Sequence, residues 1–237
     1  MIEQFFTEAV LVGILASGIR LATPYLYAAI GETFSQRSGV LNLGVEGQML
    51  MGAFAAFYIT FRTGNLFFGL LAAILVGLLM GLAMAFVSIN LKAEQGISGI
   101  GFYLFGLGLS DLLFQKLLGT VETVSGFRPL QIPYLSDIPI VGEIFFNQNI
   151  LVYGAYLMVI VAWFVLNKTT LGLKIKAVGE SPEAADSLGV SVSRIRYITV
   201  TFGGVMSAIA GASLSIALLN VFQQNMTSGL GFIAVAL

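Results

Sequence analysis

The chain has 237 residues, of which 57% are hydrophobic and only 10% charged, with a mean hydropathy of +0.94. A soluble domain carries about 25% charge, so this chain cannot coat a water-facing surface, and lipid is its expected solvent. A net charge of −1 excludes an electrostatic footprint for nucleic acid, the lack of cysteine excludes disulfides and thiolate metal sites, and the lack of histidine removes the commonest general base and metal ligand.

The N-terminus, Met1-Ile-Glu-Gln-Phe-Phe-Thr-Glu, lacks the basic start of a signal peptide. The apolar segments themselves must therefore direct insertion. A membrane-crossing helix needs roughly 20 apolar residues. The first candidate covers residues 5–30 and contains Arg20 and Pro24. The second covers 45–61, with Glu46 at its start. Gly39, Gly44 and Gly47 surround Asn42 and Glu46 there. Glycines permit irregular backbone, which is tolerated near a membrane only where it is buried or lines a cavity. Glu46 is costly against lipid. Two readings stand: a carboxylate favoured by the dipole at a helix N-terminus, or Asn42 and Glu46 as part of an inner gate.

The third span, 66–88, is free of charge and carries Gly77 and Gly81 four apart. The fourth, 97–118, has Asp111 and Gln115 on one face and Lys116 beside them, placed to snorkel to the interface. Phe86, Phe102, Tyr103 and Phe105 read as packing or lipid-facing aromatics, though a nucleobase would need such a surface to stack on. Residues 120–149 carry one basic residue, Arg128, against Glu122, Asp137 and Glu143, and are expected outside. The fifth span is 150–166.

Residues 168–196 hold Lys168, Lys174, Lys176, Arg194 and Arg196, five of the eleven basic residues, and are expected in the cytoplasm. Parity then places Arg37 and Lys92 inside and the acidic N-terminus outside; Arg62 is the one exception. Within this loop Ser181 suits an N-cap and Pro182 the first helical position. Glu183 favours the first turn, and Gly189 a left-handed stop. The expected product is a two-turn helix, too short to be stable alone, whose small Ala184-Ala185 face suits a partner's groove.

The sixth span, 197–219, has two small-residue stripes, Gly203-Ser207-Gly211 and Gly204-Ala208-Ala212. Such stripes let helices approach closely, within one chain or across a dimer seam. Gln223, Gln224 and Asn225 then open a polar turn that could bind ribose hydroxyls. A seventh span starts at 229–237, where the chain stops, so a C-terminal truncation is expected.

Two segments carry a resemblance. Gly179-Glu-Ser-Pro-Glu-Ala-Ala-Asp-Ser-Leu-Gly189 resembles the coupling loop of ABC importer permeases of the branched-chain amino acid, ribose and nucleoside group. Gly31-Glu-Thr-Phe-Ser-Gln-Arg-Ser-Gly-Val-Leu-Asn-Leu-Gly-Val-Glu-Gly-Gln-Met-Leu-Met-Gly-Ala53 is similar to the signature of the simple-sugar and nucleoside permeases in that group. The resemblance spans the chain, and members of the group continue with further helices beyond the point matching Leu237. It implies an all-α polytopic permease in a bacterial cell (inner) membrane, with six transmembrane helices and the start of a seventh. It also implies a second permease chain (a homodimer or a paralogue), ABC ATPase subunits, and an extracellular or periplasmic substrate-binding protein. Gly179, Glu180, Ser181, Pro182, Glu183, Ala184, Ala185 and Gly189 would couple to the ATPase. No cofactor is expected in this chain; ATP and Mg would belong to the ATPase, since the G-x-x-x-x-G-K-[ST] loop is missing here. The rival readings are an ion-coupled secondary transporter, which would need ionisable residues in mid-membrane, and a membrane enzyme, which would need a convergent catalytic cluster.

Overall fold

The computed structural model describes residues 8–136 and 138–237. Long helices dominate: α1 (Glu8–Arg37), α2 (Val45–Thr63), α3 (Leu66–Ala85), α4 (Gln95–Leu117), α6 (Ile150–Lys168) and α9 (Val192–Ser213). Between them lie α5 (Val141–Phe145), α7 (Thr170–Glu180) and α8 (Pro182–Ser187), and α10 (Leu230–Ala236) closes the chain. The wider π-winding extends α3 through Phe86–Asn90 and α9 through Leu214–Leu218. Leu130 and Gln131 pair antiparallel with Gln148 and Asn147. This minimal ladder holds the loop between α4 and α6 together.

Five of these helices are long and apolar enough to cross a membrane: Val10–Arg37, Leu66–Asn90, Gln95–Leu117, Ile150–Lys168 and Val192–Leu218. The segment expected at 45–61 forms a helix of sufficient length, but it is not among them. Glu46, Gln48 and Arg62 lower its hydropathy, and 13 of its 19 residues are buried. Its neighbours are protein rather than lipid, so it needs no apolar coat. Burial separates α9 from the other four in the same way: 72% of its most apolar stretch is buried, against 22–33% in the others.

The glycines explain how α9 gathers its neighbours. A methyl on Gly203 would lie 2.7 Å from Ser35 Oγ on α1, and one on Gly204 would lie 2.6 Å from the Gly77 carbonyl and from Gly81 Cα on α3. A methyl on Gly211 would run into the Met49 carbonyl and, at 2.9 Å, the Ala53 nitrogen on α2. Gly52 packs on Ala208, and Gly31 packs on Gly203 and Met206. Both small-residue stripes are thus covered by this chain's own helices, and a dimer seam on those faces is ruled out by their burial.

Caps and long-range bonds fix the ends. Glu94 caps α4, accepting from Ile97 N (2.5 Å) and Gly96 N (3.0 Å). These two backbone donors hold its carboxyl below the usual carboxylate range. Arg20, which interrupts the first apolar run, donates to Gln148 Oε1 at 2.8 Å, and Tyr27 donates to the Leu151 carbonyl. Asp111, expected to snorkel, keeps Oδ1 buried and without a partner, whereas Gln115 and Lys116 are exposed. Phe102 and Tyr103 are packing residues: Phe102 meets Gly44 and Gly47, and the Tyr103 ring lies 5.2 Å from that of Phe232. Phe86 and Phe105 are exposed on the bundle surface.

Candidate functional site

The site begins where α1 ends. Gly39 adopts a left-handed conformation (φ +80°) that turns the chain back after Arg37. Residues 38–43 then run irregularly to Gly44, whose carbonyl accepts from Gln48 N at 3.0 Å at the start of α2. Several polar groups of this irregular stretch find partners inside the protein. Arg196 Nε donates to the Ser38 carbonyl at 3.1 Å, and the Ser38 and Thr199 hydroxyls lie 2.8 Å apart. Asn42 N donates to Glu32 Oε1 at 3.0 Å, and Asn42 Nδ2 donates to Gln48 Oε1 at 3.1 Å. Asn42 Oδ1 accepts from Gly44 N at 3.0 Å. Asn42, Glu32, Gln48 and Glu46 are all buried.

The contacts of Gly52 with Ala208 and of Gly211 with Met49 set the register of α2 on α9. This register brings Glu46 level with the middle of the helix Val192–Leu218. There its carboxylate receives three bonds from the far end of the chain. Thr227 Oγ1 donates to Oε1 at 2.5 Å, Gly229 N to Oε1 at 2.7 Å, and Gly231 N to Oε2 at 2.6 Å. Gly231 packs against the Glu46 backbone, where a methyl would lie 2.7 Å from Cα. The N–H groups at a helix start have no intrahelical acceptor, and Glu46 supplies one to α10 while standing in the first turn of α2. From Glu46, α10 descends along α1, where Gln36 Nε2 donates to the Val235 carbonyl at 3.1 Å. Two helices therefore start at mid-height of the bundle and run in opposite directions from one carboxylate.

The dipole reading of Glu46 therefore holds for α2 and omits its larger role, the tie to residues 227–231. Asn42 and Glu46 lie in one buried region, as their shared motif suggested. Gln223 and Gln224 are exposed on the turn before Met226 and do not join it. Glu32, Gln48 and Thr227 went unrecognised. Glu32 and Gln48 stand within the quoted motif, and a carboxylate in the apolar run of α1 was the available signal. Thr227 gives none.

The second candidate region is the basic loop. α7 ends at Glu180, which is exposed, and α8 follows from Pro182. Ser181 occupies the N-cap position but makes no side-chain cap bond; its carbonyl accepts from Ala185 N at 3.0 Å. Gly189 provides the left-handed stop (φ +81°), its N–H donating to the Asp186 carbonyl at 2.8 Å. Ala184 and Ala185 do not share a face. Ala185 is buried against this chain's own Ile175, Val178 and Ile195, because the short helix needs an anchor. Ala184, Glu183 and Ser187 face outward, and Leu188 beside them is 84% exposed. Gly179 packs directly on the Arg37 carbonyl, and a methyl there would lie 3.4 Å from Gly39 N.

Comparison with known proteins follows the same stretch of chain. The family model described as "Branched-chain amino acid transport system / permease component" matches residues 14–237. A Haloferax volcanii ABC transporter permease protein, TsgC13, whose name assigns it glucose, is 43% identical over 95% of this chain and 69% of its own length. The guanosine ABC transporter permease protein NupQ of Bacillus subtilis is 36% identical over 91% of this chain and 70% of its own. The nucleoside ABC transporter permease protein NupC of Lactococcus lactis is 34% identical over 94% and 73%. No solved structure matches the chain.

Proposed function

The chain belongs to the permease-component family of branched-chain amino acid transport systems, and we propose that it is the membrane subunit of an ABC importer for nucleosides or simple sugars in a cell membrane. The observation that carries this reading is the family match across residues 14–237, joined by relatives named for guanosine, nucleosides and glucose. An ion-driven carrier is displaced by that membership. Energy comes from separate ATPase subunits, a second permease chain completes the pathway, and a binding protein delivers the solute. Six helices cross the membrane, α2 among them as the inner, protein-covered one, and residues 229–237 begin a seventh crossing.

The end of the bundle bearing Arg37, Gly179 and Arg196 faces the cytoplasm, and the loop between α4 and α6 faces outside, as the basic residues require. Tyr134, 89% exposed, and Ser187 are suitable reporters on this cysteine-free background. An impermeant thiol reagent on intact cells is expected to label Tyr134→Cys and not Ser187→Cys. The opposite pattern would invert the orientation.

Uptake of radiolabelled guanosine and glucose by cells expressing the permease with its ATPase and binding protein tests the function itself. Uptake of neither, with all subunits assembled, refutes it. The coupling surface is the outward side of α8, Ala184 with Leu188. Leu188→Arg is expected to cost at least tenfold in uptake and to weaken ATPase co-purification, because an unpaired charge at a buried contact costs several kcal/mol. Membrane levels should stay normal, since Leu188 touches little of its own chain. Ala185→Arg is expected to act differently, by unseating α8 from Ile175 and Ile195. Undiminished uptake with Leu188→Arg would remove α8 from the docking surface.

A further inference from the structure

An apolar slot of about 180 Å³ lies between α1, α6, α7 and α9. Its walls include Phe34 of α1, Val161 of α6, Leu171 and Ile175 of α7, and Ile198 and Phe202 of α9. The Phe34 and Phe202 rings, 4.8 Å apart, close the back. Val161 and Ile198 are 39% and 47% exposed, so the slot opens between α6 and α9, both of membrane-crossing length. No wall comes from α10. That helix borders α1 along Ala29, Thr33 and Gln36, and Phe34 projects about 100° round the helix from Thr33. Thr199 is the one polar residue lining the slot. Its hydroxyl is already engaged, 2.8 Å from that of Ser38 and 3.1 Å from the Ile195 carbonyl. An apolar cavity with no free polar group stays dry and takes an apolar guest.

The rim is cationic. Lys168 follows Val165 of the slot by three residues on α6, Lys174 follows Leu171 by three on α7, and Arg194 precedes Ile198 by four on α9. Residues three or four apart share a helix face, so each helix sets a cation one turn from a slot-lining residue. All three cations are exposed. The Lys168 ammonium lies 5.8 Å from the Trp163 ring centre, a pairing of amphipathic groups suited to the headgroup level. Glu180, nine residues after Leu171, stands on the opposite face of α7. An apolar slot rimmed by cations fits a molecule with an alkyl tail and an anionic head.

We infer that this slot binds one acyl chain of an anionic phospholipid of the cytoplasmic leaflet, with the phosphate held by Lys174 and Arg194. The choice of leaflet rests on the orientation proposed above; the slot and its rim do not. Because α7 leads directly into α8, the lipid supports the helix that carries the proposed coupling surface.

The test uses the permease purified in detergent, alone and with the ATPase proposed to drive it. The probes are phosphatidylglycerol and phosphatidylcholine with a diazirine in one acyl chain. Photolysis is expected to label residues 158–165 and 198–202, with phosphatidylglycerol at least tenfold above phosphatidylcholine. Lys174→Gln and Arg194→Gln should each lower phosphatidylglycerol labelling about fivefold, the scale of one basic residue against an anionic leaflet. Phosphatidylcholine labelling should not change, a contrast that a folding defect does not reproduce. Ala162→Phe fills the slot from within, and Val161→Trp closes its mouth from the lipid side. Each should abolish labelling by both lipids while melting no lower than wild type. Labelling spread evenly along the helices, or undiminished in Val161→Trp, would reduce the lipid to an annular one and overturn the site. Equal labelling by the two lipids would overturn the anionic assignment. Labelling that vanishes when the ATPase binds would make this face a subunit contact and overturn the inference as well. Transport enters none of these readouts, so a failed importer reading would leave the lipid result standing.

Discussion

Replacing Glu46 by leucine is expected to abolish the folded protein in detergent or to lower its stability by several kcal/mol. The carboxylate accepts from Thr227, Gly229 and Gly231 in a buried setting. Without it three donors lose their acceptor at once, and each unsatisfied donor costs about 1–3 kcal/mol. Glu46→Gln keeps one acceptor oxygen but turns an NH2 group toward backbone N–H groups, so an intermediate loss is expected. Thr227→Val removes one bond and should cost about 1 kcal/mol. Thermal melting monitored by size exclusion would rank the three, and a wild-type melting curve for Glu46→Leu would refute the tie between the first turn of α2 and residues 227–231.

Leucine at Gly211 or Gly204 should be as damaging, for a steric reason. The first side-chain carbon at 211 would already strike the Met49 carbonyl, and at 204 it would stand 2.6 Å from the Gly77 carbonyl. Those neighbours are backbone and cannot swing aside. Overpacking of this kind costs about 1–3 kcal/mol for added methylenes, and a whole leucine stem exceeds that, so little folded protein is expected. Gly18 and Gly108 have nothing within 4 Å of an added carbon, and Gly18→Leu and Gly108→Leu should express at wild-type levels. Equal yields from all four variants would mean that α9 does not sit where its contacts place it.

The long helices were legible because apolar length is a local property: the runs at 66–88 and 150–166 differ from α3 with its π-turn and from α6 by two residues at most. The polar character of α2 was legible too, but its cause was not. Glu46 reads as an interruption at the start of a membrane span, whereas it belongs to a helix enclosed by its neighbours. The burial of Ala185 was hidden for a similar reason. Two adjacent alanines look equivalent in sequence, and only the packing of α7 and α9 decides which one turns inward. The partners of Glu46 could not have been read at all, since residues 227–231 carry no pattern that points 180 positions upstream. What the motif around Asn42 did signal was irregular backbone enriched in glycine, and that irregularity is where Glu32, Asn42 and Gln48 converge.

The contact of Gly179 with Arg37 and Gly39 has a mechanical consequence. Side chains between two moving parts act as springs, since their rotamers absorb a displacement before it is passed on. Here backbone presses on backbone, and that joint contains no spring. The bond from Arg196 to the Ser38 carbonyl fastens the same corner to the start of α9. If a partner docks on α8 as proposed, the end of α7 would hand a displacement to the turn before Asn42 through that joint.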